Sequence, residues 1–220
     1  MDRINSNNCI EFGVAKPEDY IPVLQFVRKF YYEHEPMSTS YIHDGSPDED
    51  DIEFSMSFLL QGMAVIANDR LEDRLVGVSI ANSIYPGYTE ELLLAAEKSR
   101  TRKWRDSLKL LAHLQQANNI LKQFNVCSCY DIEILAVHPD YRGRRIGARL
   151  FEEQFERARI LGYSLASADC TSFYSAQTAF QVGMECIGRL AYSNYKNEQG
   201  VQLFKPEPPH LEIQSFVKKL

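Results

Sequence analysis

The stretch that most limits what this chain can fold into runs from Asp131 to Ala148: Asp-Ile-Glu-Ile-Leu-Ala-Val-His-Pro-Asp-Tyr-Arg-Gly-Arg-Arg-Ile-Gly-Ala. Its hydrophobic period changes midway. Ile132, Ile134 and Leu135 to Val137 suit a buried strand. His138-Pro139-Asp140 breaks it, because the residue before a proline avoids helical geometry. From Ile146 the apolar residues Leu150, Phe151, Phe155, Ala158 and Leu161 return at helical spacing, and Gly162 fits the position just past a helix end. The loop Arg142-Gly143-Arg144-Arg145 thus feeds a helix N-terminus. Free N–H groups and the positive end of the helix dipole favour an anion there, and the arginines point to a polyphosphate.

The rest of the chain alternates strands and helices. A first strand is expected at 10–15, then a helix opened by Pro17-Glu18-Asp19 and stopped by Pro36. Residues 37–46 read as loop. Ser46-Pro47-Asp48-Glu49 forms a capping box for a helix reaching Gln61, with Gly62 past its end. Strands follow at 63–67 and 75–84. A helical insertion comes next, one helix capped by Thr89 and a longer one from Trp104 to Gln123. After the central strand and helix come a strand at 163–169, a turn at 170–172, a helix over 173–182 and a strand at 184–195. A stiff Pro-rich loop and a last strand at 211–217 end the chain. One right-handed β-α-β crossover joins strand 131–137 to strand 163–169. No repeat or linker divides residues 1–220, which read as a single domain.

A net charge of -6 argues against a nucleic-acid partner and suits a cationic one. No apolar run approaches the ~20 residues of a membrane span, and the polar N-terminus lacks a signal-peptide core. Five cysteines, with Cys127 and Cys129 one residue apart, fit neither a disulfide framework nor a zinc site. The histidines form no i, i+4 pair, so no metal is expected. A reduced, cytoplasmic, monomeric protein is the expectation.

Arg142-Gly143-Arg144-Arg145-Ile146-Gly147, followed by Ala148, resembles the acetyl-CoA-binding motif Gln/Arg-x-x-Gly-x-Gly/Ala of the GNAT superfamily of N-acetyltransferases. Arg145 stands where the family has its first glycine, and it keeps the backbone N–H that meets the phosphate. The resemblance implies an α/β fold with a central mixed, twisted sheet of about seven strands flanked by helices. It implies acetyl-CoA as co-substrate. The backbone of Leu135 and Val137 would meet the acetyl and pantetheine arm, and Arg142 to Ala148 would hold the pyrophosphate. The likeness is sharpest with the insect arylalkylamine N-acetyltransferases, which include an agmatine-acetylating branch. It rests on Phe30-Tyr-Tyr-Glu-His-Glu-Pro36, Leu135 to Gly143, Cys170-Thr-Ser-Phe-Tyr-Ser-Ala176 and Pro208-Pro-His210.

That family acetylates small primary amines. The ammonium must lose a proton, with a pKa resembling lysine's at ~10.4, and the thiolate must leave. Glu35 matches the family's base position, with Tyr31, Pro36 and Glu133 beside the amine; by residue type alone it is an exposed helix-end carboxylate. Asp131 and Glu133, on one strand face, are the alternative bases or simply polar residues of a wet cleft. Phe180 occupies the place of the superfamily's usual tyrosine acid, which leaves Ser172, Ser175 and Tyr174 as hydroxyl candidates. Ser172 is equally a helix cap, and His210 equally a structural histidine. The cluster Phe30-Tyr31-Tyr32 suggests an aromatic wall for the amine, and Asp48 to Asp51 an acidic rim or the acidic start of a helix. A protein acetyltransferase and an inactive acyl-CoA-binding module are the competing functions.

Overall fold

A computed structural model describes residues 9–43 and 49–220. Seven strands form one mixed sheet in the order β1-β2-β3-β4-β5-β7-β6. They are β1 (Ile10–Val14), β2 (Ala64–Asp69), β3 (Arg74–Ile84), β4 (Cys129–Val137), β5 (Leu165–Cys170), β6 (Glu185–Ala191) and β7 (Glu212–Lys219). All neighbours are antiparallel except β4 and β5. That parallel pair meets over Tyr130–Ala166 and Asp131–Ser167 alone. Beyond it β5 pairs with β7 to Cys170 and β4 with β3 to Val137, so the sheet splits into two halves.

A bulge sits beside the split. Ile80 faces Ile134 and Ala81 faces Ile132, which leaves Glu133 as the extra residue of β4. The strand's phase changes there. Tyr130 and Ile132 pack beneath Phe151 and Phe155 of α7 (Ile146–Ile160). Past the bulge Ile134 and Ala136 turn to the opposite face, against Val23, Val27 and Met56 of α1 (Tyr20–Val27) and α3 (Glu49–Ser57). Alternation places Cys129, Asp131 and Glu133 on that same opposite face. There α4 (Tyr88–Lys98) and α5 (Arg102–Asn118) cover the far half of the sheet through Leu92, Trp104 and Leu108. On the α7 face, α8 (Phe173–Gln181) adds Ala176 and Ala179. The start of α7 lies close on the sheet because β3 carries a glycine. A Cβ on Gly77 would lie 3.0 Å from Leu150 Cδ1 and 3.1 Å from Ile146 Cγ2.

Several expectations are corrected. Pro36 does not stop a helix: α1 runs on through a π-helical turn at Arg28–Tyr32, and Pro36 opens a new helix, α2 (Pro36–Ser40). Proline fits a first helical position as well as it fits a stop, so the residue alone cannot decide. The capping box at 46–49 falls mostly outside the described residues. The helix ahead of Gly62 ends as α3 at Ser57 plus a 3-10 turn at Leu59–Gln61. Gly87, φ 97°, opens α4 in place of Thr89. The 104–123 helix is broken at Asn119, φ 41°, into α5 and α6 (Ile120–Phe124). β6 ends at Ala191, where a 3-10 turn begins. Among the described residues all five cysteines are free, and no helix is long and apolar enough to cross a membrane.

Candidate active site

A cleft of about 790 Å³ follows the split between β4 and β5 and ends on the start of α7. Arg145 precedes that helix with φ 62° and offers no side-chain cap, and the first bond into the helix runs from Arg149 N–H to the Arg145 carbonyl at 3.0 Å. The first-turn N–H groups therefore stay open to the cleft, as a phosphate requires. Arg142, Gly143, Arg145, Ile146, Gly147 and Ala148 all line it. Arg144 does not: its guanidinium lies 4.6 Å from the Tyr141 ring centroid and donates to the Asp140 carbonyl at 3.1 Å. The left-handed φ of Arg145 accounts for glycine in the motif at this position, since a side chain there costs roughly 1–2 kcal/mol.

Leu135 and Val137 form the cleft's β4 wall. The His138 N–H bonds back to Val76 O of β3 at 2.9 Å. Alternation then directs the N–H groups of Val137 and Leu135 to the opposite edge, where β5 has parted from β4. An extended arm can add itself to that edge. With the open helix start, the cleft fits an acyl-CoA.

Ser172, Ser175 and His210 line the facing wall. Ser172 caps α8, its Oγ accepting the Ser175 N–H at 3.0 Å and meeting Ser175 Oγ at 2.9 Å. His210 Nδ1 accepts the Phe173 N–H at 3.2 Å, and its ring is edge-on to Tyr174. Their capping roles hold these side chains on the cleft. Phe180 is exposed and lines neither cavity.

A narrower chamber of about 80 Å³ adjoins the cleft under α4 and α5. Tyr31, Glu35, Ile132, Glu133, Asp169 and Thr171 line both spaces and mark their junction. Glu35 is buried, not exposed: it N-caps α2, accepting the N–H groups of Met37 at 3.0 Å and Ser38 at 2.5 Å. Pro36 opens α2 and lines the cleft. Glu133 Oε2 is sealed from solvent with no hydrogen-bond partner. Burial first, then the charges of Asp131 and Asp51, push its carboxyl well above the usual range. Burial, followed by Glu35, Asp51 and Glu133, likewise raises the Tyr31 phenol far above its ordinary value.

Among the described residues five carboxylates line the chamber, Glu35, Asp51, Asp131, Glu133 and Asp169, and no lysine, arginine or histidine does. Of the acidic stretch Asp48 to Asp51, Asp48 lies outside the described residues, and Glu49 to Asp51 form the acidic start of α3, the alternative reading. Glu49 pairs with Arg28 at 2.6 Å, and Asp50 with Arg100 at 2.6 Å. Asp51 alone of 49–51 reaches the chamber. The aromatic wall is also rearranged: Phe30 lines the cleft, Tyr31 the junction, and Tyr32 is buried with its hydroxyl on Asp51 at 2.9 Å. Tyr88 and Trp104 of the insertion take the place on the chamber wall. Sequence reading missed Asp169, Thr171, Tyr88 and Trp104, which line these spaces. The signal available for Asp169 was one acid in the otherwise small, uncharged strand Leu-Ala-Ser-Ala-Asp-Cys.

Residues 120–180 match the model of the acetyltransferase (GNAT) family. The chain is similar to the crystal structure of mosquito arylalkylamine N-acetyltransferase like 5b, at 38% identity and a TM-score of 0.92 over 96% of this chain and 100% of that one. It is similar to the Drosophila melanogaster polyamine N-acetyltransferase that catalyses the formation of N-acetylagmatine, at 33% identity and a TM-score of 0.89, with 96% and 100% covered. An apo mutant of agmatine N-acetyltransferase matches at 32% identity and a TM-score of 0.90, again over 96% and 100%.

Proposed function

The chain belongs to the GNAT acetyltransferase superfamily and to the insect arylalkylamine N-acetyltransferases within it, and from that premise we propose that it transfers the acetyl group of acetyl-CoA to the primary amine of a small molecule. The preferred amine carries a second positive charge, as agmatine and polyamines do, ahead of a singly charged arylalkylamine. One observation carries the reading: the donor cleft opens at Glu35 and Glu133 into a chamber whose charged lining, among the described residues, is acidic alone. The names of the relatives, which include agmatine and polyamine enzymes, support it.

Acetyl-CoA supplies an acetyl thioester. The start of α7, with Arg142 and Arg145, binds the phosphates, and the free edge of β4 aligns the arm. Glu35, at the junction, takes a proton from the substrate ammonium directly or through water. Each of its oxygens accepts one backbone N–H and keeps a second lone pair for this. As the N–C bond forms the C–S bond breaks; the nitrogen sheds its second surplus proton to water, and the departing thiolate takes up a proton from water, relayed by Ser175 or Ser172. His210 holds the Ser172 end of α8 in place. A thiol-release assay with acetyl-CoA against agmatine, a polyamine, tyramine, dopamine, tryptamine and a peptide panel tests the reading. Turnover confined to peptides, or none at all, overturns it.

A further inference from the structure

We propose that Asp131 and Asp169, facing each other where β4 and β5 part, form the seat for the second positive charge of the amine substrate. The inference rests on the small-amine reading above and names the residues that select within it.

Asp131 lies in the last residue pair that β4 and β5 share, opposite Ser167, and Asp169 stands two residues further along β5. Both line the chamber. Asp131 is only 7% exposed. Each aspartate accepts one serine hydroxyl through a single oxygen: Ser167 Oγ to Asp131 Oδ1 at 2.6 Å, and Ser215 Oγ to Asp169 Oδ1 at 2.5 Å. Asn118 of α5 donates to Ser215 at 2.8 Å and fixes that side. Among the described residues the second oxygen of each aspartate accepts no hydrogen bond. Two residues along β4, Glu133 Oε2 is buried with no hydrogen-bond partner.

Buried carboxylates are ordinarily paired with a cation, and among the described residues no basic side chain lines this chamber. Nor do the described acids group closely enough to hold a metal ion. An organic cation, ammonium or guanidinium, completes them. Burial, and for Asp131 the facing Asp169, pushes both carboxyls upward, and a cation held between them offsets that cost. The serine bonds hold the two side chains in position.

The test compares agmatine with n-pentylamine, a linear alkylamine of one charge, on wild type, Asp131→Asn and Asp169→Asn. Asparagine keeps an acceptor for the serine. The expected result is a fall of at least tenfold in the agmatine-to-pentylamine ratio of kcat/KM, arising mainly from a higher KM for agmatine. Equal losses on both amines, or a common shift of their pH profiles, overturn the seat and leave the pair a structural or proton-relaying group. A second measurement needs no variant: kcat/KM of the wild type along a series of linear diamines should peak at one chain length. A flat series overturns the seat. Absence of turnover with every amine, by contrast, defeats the small-amine reading itself.

Discussion

Glu35 accepts the N–H of Ser38 at 2.5 Å, so a carboxylate at the junction of donor and acceptor spaces is also the cap of α2. Base and cap can be separated by substitution. Glu35→Gln keeps a carbonyl acceptor for one N–H but cannot take a proton. It should lower kcat roughly 10²-fold and remove the acidic limb of the pH–rate profile. Glu35→Ala should lose the cap as well, at a cost of about 1 kcal/mol in thermal unfolding. An unaltered profile in the Gln variant would move the proton to Glu133.

Gly147→Glu should abolish acetyl-CoA binding. A Cβ on Gly147 meets Leu135, Val137 and Thr178 at 3.8 Å, ordinary contact, so the helix tolerates a side chain there. A carboxylate beside the phosphates should weaken affinity by roughly a hundredfold or more. Calorimetric titration reads the loss, and circular dichroism the intact fold.

Arg145→Gly should stabilise the protein. The left-handed φ of 62° strains the arginine, and glycine removes that strain at some cost in unfolded-chain freedom. The net gain is about 0.5–1 kcal/mol. A thermal melt checks it. Acetyl-CoA affinity should fall less than tenfold, because the backbone N–H remains.

Glu133→Gln should raise the melting temperature of the ligand-free protein in alkali and not in acid. The folded-state pKa of Glu133 lies above its unfolded value of ~4.3, so its contribution is full below that pH and fades as pH rises through the raised value. Glutamine resembles the protonated form and does not fade. The gap between variant and wild type should be near zero at pH 4 and open toward pH 9, by about 2–4 °C for each kcal/mol. A gap constant with pH would show that the carboxyl does not titrate in this range.

The strand, arginine loop and helix of residues 131–160 were legible because a change of hydrophobic period is local in sequence. An anion-binding loop could be expected from that, and its assignment to acetyl-CoA from the resemblance of Arg142 to Gly147 to the family motif. The acceptor site was not legible in the same way. Asp50 leaves the expected rim for Arg100, fifty positions away, and Arg144 leaves the loop for the Tyr141 ring. Asp131 and Asp169 come together only through a parallel pairing two residues long. Whether Pro36 ends a helix or begins one depends on the Glu35 carboxylate folding over the next turn.

The left-handed Arg145 has a meaning for how such a protein can diversify. It occupies a glycine position and still presents the same amide to the cleft. In the function proposed above the donor would be gripped by main chain, which point mutations barely alter, and the acceptor met by side chains of α3, α4, α5, β4 and β5, which line the chamber. A lineage built this way can exchange one amine for another without relearning how to hold its acyl carrier.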